Sequence, residues 1–196
     1  MRRYLSTHLA SIFAVTAIIA ITTASRWVAH TPNVTLLFGI SIFSGFHFQK
    51  NKSLAFLIPI TSLLLSDCLL GFHDYMWGTY LGTLMAIGSG IAASQLFTNK
   101  NSFLAKLLGL SGASVISSIV FYFISNFHVW LGSGADSLYP KTLSGLINCY
   151  VAALPFLKNS ISADTGTAIT CLIIAELAKR SASAPRIFAS ASTKIA

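Results

Sequence analysis

Asp67 stands in the run Leu63-Leu64-Leu65-Ser66-Asp67-Cys68-Leu69-Leu70. A carboxylate inside so apolar a stretch costs enough in a membrane to mark a functional position, and it needs a partner. Arg26 is the base nearest to it in depth, so an Arg26 to Asp67 ion pair is expected, serving either a ligand or the cohesion of two helices. Asn33 follows Pro32, Asn126 lies in Ser125-Asn126-Phe127-His128-Val129-Trp130, and Asn159 follows Pro155. Proline removes a backbone donor, and irregular backbone at membrane depth usually lines a cavity. Asparagine amides beside aromatic rings are the chemistry of a small-ligand site, where a few polar groups orient a molecule on apolar walls. Each asparagine taken alone also has the simpler role of a helix cap.

Other reactive groups offer less. His73-Asp74 has the form of an imidazole oriented by a carboxylate, but no nucleophile motif, paired-carboxylate spacing or HExxH accompanies it, so an enzyme is not expected. Cys68, Cys149 and Cys171 stand singly without metal-ligand spacing, so neither a metal nor a disulfide framework is expected. The sequence holds no GxxxxGK[ST] loop for ATP and points to no cofactor. Asp164 is expected in the first turn of the last helix, where an acid meets the helix dipole favourably. Glu176 is expected to pair with Lys179 and Arg180, three and four residues on.

The elements that must position these groups follow from composition. Of 196 residues 54% are hydrophobic and only 9% charged, against roughly 25% charged in a soluble domain. The net charge of +8 is spread thinly between apolar runs, which argues against nucleic acid and for a topological role. Spanning the hydrocarbon takes about 20 apolar residues. Six segments come close: 5–24, 34–48, 54–72, 75–97, 103–127 and 161–178. With six spans, ten of the thirteen bases (Arg2, Arg3, Lys50, Lys52, Lys100, Lys106, Lys179, Arg180, Arg186 and Lys194) fall on one side, which the positive-inside rule makes cytoplasmic. Residues 142–157, apolar but short and ending near Pro155, then read as a re-entrant or surface-lying helix at the outer face.

The expected fold is therefore all-α, a polytopic membrane bundle of six transmembrane helices plus that short outer helix. Residues 1–180 form one transmembrane domain, and 181–196 form a polar cytoplasmic tail. Arg2-Arg3 and the apolar run after them resemble a secretory signal, here read as a retained anchor in the cytoplasmic (inner) membrane, with both termini cytoplasmic. The topology gathers Asp67, Asp74, Asp136 and Asp164 toward the outer end together with Trp27, Trp77 and Trp130. Such tryptophans ordinarily form an interfacial belt.

Arg26, Pro32-Asn33, Ser66-Asp67, Asn126 with Trp130, Tyr139-Pro140, Gly145-Leu146, Cys149-Tyr150, Pro155-Phe156 and Asn159 resemble an uncharacterised family of small bacterial multi-pass membrane proteins. That family is distantly similar to the substrate-binding S components of energy-coupling-factor transporters, six-helix proteins that hold a ligand at the outer face. The resemblance implies a transmembrane coupling subunit and ATPases as partners. It also implies a docking role for the small face Ala10, Ala14 and Ala17 of the first helix. No vitamin-specific signature is present, so no substrate carries over. The expected function is capture of a small molecule from the outer side, with Arg26, Asn33, Asp67, Asn126, Trp130, Tyr139 and Asn159 as ligand-binding candidates. The rivals are a structural or assembly protein without ligand and a self-sufficient ion- or proton-coupled transporter.

Overall fold

The computed structural model describes residues 2–28, 31–72, 76–97, 102–134 and 138–183. Every regular element among them is a helix: α1 (Arg2–Trp27), α2 (Leu37–His47), α3 (Lys52–Leu70), α4 (Met76–Gln95), α5 (Phe103–Gly132) and α6 (Leu143–Ser183). Lys52–Leu70, Phe103–Gly132 and Leu143–Ser181 are long and apolar enough to cross a membrane, whereas Ile12–Trp27 and Leu37–His47 are shorter apolar helices. Much of the apolar side-chain surface faces outward, Leu57 on α3, Leu84 on α4, Leu108 on α5 and Ile174 on α6 among it. In water such a surface would drive aggregation, whereas hydrocarbon solvates it.

The shortest helix is the most buried. Every residue of α2 from Leu37 to Phe46 is buried, and α2 touches each of the other five helices. Those five follow one another around it, α1 against α3, α3 against α4, α4 against α5, and α5 against α6. Among the described residues no contact joins α6 back to α1. The gap is a groove of about 870 Å³, walled by Ala14 and Ile18 of α1 and by Gly166 and Thr170 of α6, with Ile40 and Phe43 of α2 as its floor.

Two apolar clusters run through α2. One joins Ile42 and Phe46 to Ala93, Leu110, Ala113, Ala168 and Leu172. The other joins Leu37 and Phe38 to Leu63, Ala86, Ile87 and Ile91. Small residues fill the remaining contacts and let helices approach closely. A methyl group at Gly39 would lie 2.7 Å from the backbone oxygen of Asp164, so α2 can rest against α6 there only without a side chain. Several buried serines satisfy their hydroxyls on helix carbonyls, which costs no further partner. Ser62 donates to Ile58 O at 2.9 Å, Ser114 to Leu110 O at 2.9 Å, and Ser117 across to Ala86 O of α4 at 2.8 Å.

One element departs from the sequence-based expectation. Residues 142–157 do not form a separate re-entrant or surface helix, because from Leu143 they are the first part of the continuous α6, with Pro155 inside it. Proline withholds only its own N–H, and packing on α5 holds the surrounding turns. The Tyr122 hydroxyl donates to Tyr150 O at 2.6 Å, the Tyr150 hydroxyl to Phe123 O at 2.9 Å, and Cys149 Sγ to Asn126 O at 3.4 Å. Asp164 is consequently not in a first turn but in the middle of α6. The tail beyond residue 183 lies outside the described residues.

Candidate functional site

Arg26 and Asp67 do pair. The guanidinium Nη1 of Arg26, in the last turn of α1, lies 2.8 Å from Oδ1 of Asp67, in the last turn of α3. The same nitrogen donates to Leu63 O at 3.2 Å and to the Ser66 hydroxyl. Tyr80 of α4 donates its hydroxyl to the other carboxylate oxygen, Oδ2, at 2.5 Å. Asp67 is 2% exposed, so both its oxygens are held by protein within the bundle. The network ties α1, α3 and α4 at the end where α1 and α3 finish and α4 begins.

A second polar group surrounds a cavity. The Thr31-Pro32-Asn33-Val34 turn has Val34 N donating to Thr31 O at 3.1 Å and Asn33 at φ 61°. That is the type II arrangement, with proline at the second position and a left-handed asparagine at the third. The turn aims Asn33 at a space of about 240 Å³ between α4, α5 and α6, lined by Asn33, Thr79, Ser118, Tyr122, Ser125, Asn126 and Ser160 with apolar walls from Phe121, Val129, Phe156 and Leu157. The α5 members, Ser118, Tyr122, Ser125, Asn126 and Val129, recur at helical spacing along one face.

Below this space lies Asp164. It is 2% exposed, and its Oδ2 accepts the Ser118 hydroxyl at 2.8 Å. It also accepts a backbone hydrogen bond from Gly39 of α2. Ser118 therefore faces the cavity and touches the buried carboxylate at once. Ser160 stands one turn before Asp164 on the same face of α6.

Of the candidates read from sequence, Asn33 and Asn126 share the cavity, while Arg26 and Asp67 form their own network apart from it. Asn159 lies beside the cavity but spends its amide on the α1–α2 connection, donating Nδ2 to Pro32 O at 3.1 Å. Trp130 closes the α5–α6 turn, its indole donating to Pro140 O at 3.0 Å while the Lys141 ammonium sits 5.0 Å from its ring centroid. Lys141 also donates to Trp130 O at 2.5 Å and to Leu131 O, a cation satisfying the bare carbonyls at a helix C-terminus. Tyr139 lies half-buried in that same connection. Ala14 faces the α1–α6 groove, Ala17 is half-buried, and the side chain of Ala10 lies outside what is described. His73, Asp74 and Asp136 also lie outside the described residues. Glu176 pairs with Lys179 at 3.3 Å and with Lys106 of the neighbouring α5 at 3.0 Å. No group of three or more potential metal ligands occurs among the described residues.

Ser118, Tyr122, Ser125, Ser160 and the role of Asp164 were not anticipated. The signal for the first three was present, since polar residues spaced by three and four along an otherwise apolar helix mark an inward-facing stripe.

Residues 6–187 match the sequence profile of a family of unknown function, DUF6580, and the chain belongs to that family. No curated protein and no solved structure matches it.

Proposed function

We propose that this DUF6580 member is a membrane-embedded binding component that captures a small molecule in the cavity between α4, α5 and α6. The observation that carries the reading is the convergence of Asn33, Ser118, Tyr122, Ser125, Asn126 and Ser160 on one space walled by Phe121 and Phe156. A few convergent polar groups on apolar walls, between the helices of a bundle, are the usual makings of a ligand site. The volume of about 240 Å³ lies below the roughly 300–1,000 Å³ of drug-sized sites, which suits a metabolite of modest size. Asn33, Thr79 and Val129 of the lining lie near the end at which α2 and α4 begin and α5 finishes, and the lysine-rich opposite end is the cytoplasmic one by the positive-inside rule. In this reading the protein resides in the cytoplasmic membrane with both termini inside and takes its ligand from the outer side. A coupling subunit with ATPases, as in S-component systems, would dock on α1 along the face that includes Ala14.

The test is native mass spectrometry of the protein purified gently from its own membrane, compared with Asn126→Leu, which fills the cavity without touching the Arg26–Asp67 network. A stoichiometric small molecule that is lost from the folded variant supports capture. A protein equally empty in both forms counts against it.

A second reading, a structural or assembly protein, is favoured by the closed Arg26–Asp67–Tyr80 network, in which every carboxylate oxygen is held by protein. It expects substitutions there to lower stability and to leave any ligand in place.

A further inference from the structure

The hydroxyls and amide around the cavity are not neutral in what they offer. Tyr122 donates its proton to Tyr150 O at 2.6 Å, Ser125 to Phe121 O at 2.6 Å, and Ser118 to Asp164 Oδ2 at 2.8 Å. Asn126 spends an amide N–H on Tyr122 O at 2.8 Å. A hydroxyl has one proton and two lone pairs. Once the proton is committed to a carbonyl or carboxylate, only acceptor capacity is left. Three hydroxyls of the lining residues are thus left with acceptor capacity, while Asn126 retains its amide oxygen and one N–H, and the Asn33 amide adds an oxygen and an NH2 group. Thr79 and Ser160 add hydroxyls that work either way.

Charge points the same way. No lysine, arginine or histidine is among the described lining residues, and Lys158, though close in sequence, is exposed and outside the lining. The acid nearest the cavity is Asp164, reached through Ser118, and its described partners are the Ser118 hydroxyl and the Gly39 N–H. Phe121, Tyr122 and Phe156 are among the lining residues, and a cation seated over the face of such a ring is attracted to it. An anion placed here would find neutral amide and hydroxyl donors but no cationic side chain among the described lining residues, and would have the Asp164 carboxyl behind Ser118.

We infer that the cavity selects a small organic cation bearing N–H donors, a primary or secondary ammonium compound, with Ser118 carrying the influence of Asp164 to the ligand. This rests on the capture reading above and narrows it to a ligand class.

The test uses the full protein in nanodiscs of zwitterionic lipid, with empty nanodiscs as reference. Three isosteric probes, 2-phenylethylammonium, 2-phenylethanol and phenylacetate, are titrated by saturation-transfer NMR. The ammonium is expected to bind about tenfold tighter than the alcohol or better, and phenylacetate more weakly than both, as charge-assisted hydrogen bonds are about twice as strong as neutral ones. Asp164→Asn is expected to erase the ammonium preference while leaving the alcohol's affinity unchanged, which a merely structural role for Asp164 would not do. If Asp164→Asn fails to give a folded, monodisperse protein, Ser118→Ala replaces it and is expected to shrink the same preference. Equal or tighter binding of the alcohol or the acid overturns the cation inference and leaves capture standing. An ammonium preference that survives the variant overturns the part assigned to Asp164. Absence of binding by all three probes overturns the inference, and if the natively purified protein is also empty the capture reading fails with it.

Discussion

Arg26 and Asp67 lie 2.8 Å apart although forty-one positions separate them in the chain, and their pairing joins the last turns of α1 and α3. Tyr80 holds the second oxygen of Asp67, so each carboxylate oxygen already has a protein partner, which favours a cohesive role over a ligand contact.

Breaking this pair should therefore cost stability rather than affinity. Arg26→Ala or Asp67→Ala alone leaves one buried charge without its partner, at a cost of about 3–5 kcal/mol. The double variant Arg26→Met with Asp67→Leu should regain much of that loss. Thermal unfolding in detergent across the double-mutant cycle checks it, and strictly additive losses would mean that the two groups do not depend on each other.

Tyr80→Phe gives a finer measure of the same network. It removes one hydrogen bond to a charged acceptor, worth about 1.5–3 kcal/mol, without leaving an unpaired charge. The drop in melting temperature should be smaller than for Asp67→Ala, and any ligand bound near Asn126 should be retained.

Asn33 separates shape from chemistry. Its φ of 61° costs an ordinary L-residue about 1–2 kcal/mol, so Asn33→Ala should destabilise the turn by that order, whereas Asn33→Gly should fold as well as the parent. If the amide contacts the captured molecule, the glycine variant loses affinity at unchanged melting temperature. A glycine variant that binds normally would restrict Asn33 to turn formation.

Gly39→Ala should be among the most damaging single changes in the protein. The new methyl would meet Thr167 Cβ at 2.5 Å as well as the Asp164 carbonyl, and backbone cannot step aside, so overpacking of about 1–3 kcal/mol or more follows. Gly88→Ala on α4, where a methyl meets nothing within 4 Å, is the control and should be neutral or slightly stabilising through helix propensity. Melting curves of the two variants side by side decide the matter.

Orientation can be read by impermeant maleimide labelling in a cysteine-free background. Cysteine at exposed Leu138, in the α5–α6 connection, should react from outside intact cells, and cysteine at Lys50, in the α2–α3 connection, only after the membrane is opened. The reverse pattern would place the cavity mouth on the cytoplasmic side.

Much of the helix order was visible in the hydropathy of the chain, because apolar runs and the charged or broken connections between them are written directly in residue type. The Arg26–Asp67 pair was visible for a related reason, one acid in an apolar run and one base at its depth. The continuity of α6 was not, because Pro155 reads as a terminator. Its tolerance depends on Tyr122 and Phe123 of α5 bonding the preceding turn, a contact no local signal encodes. The cavity was half visible: Asn33 and Asn126 stood out as amides near helix ends, whereas Ser118, Ser125 and Ser160 did not stand out, because serine serves both packing and binding in apolar helices. Asp164 was misplaced for the same reason as Pro155, since an α6 beginning after the proline puts that acid in a first turn.

The burial of α2 bears on how the protein is made. Eleven residues at about 1.5 Å each give a rod of about 16 Å, roughly half the hydrocarbon thickness of about 30 Å. Emerging from the ribosome second, α2 has neither the length of an independent span nor, yet, the helices α4, α5 and α6 that later surround it. Completion of α6 is the step at which α2 gains its full set of neighbours, so α2 is expected to settle late in the assembly of the bundle.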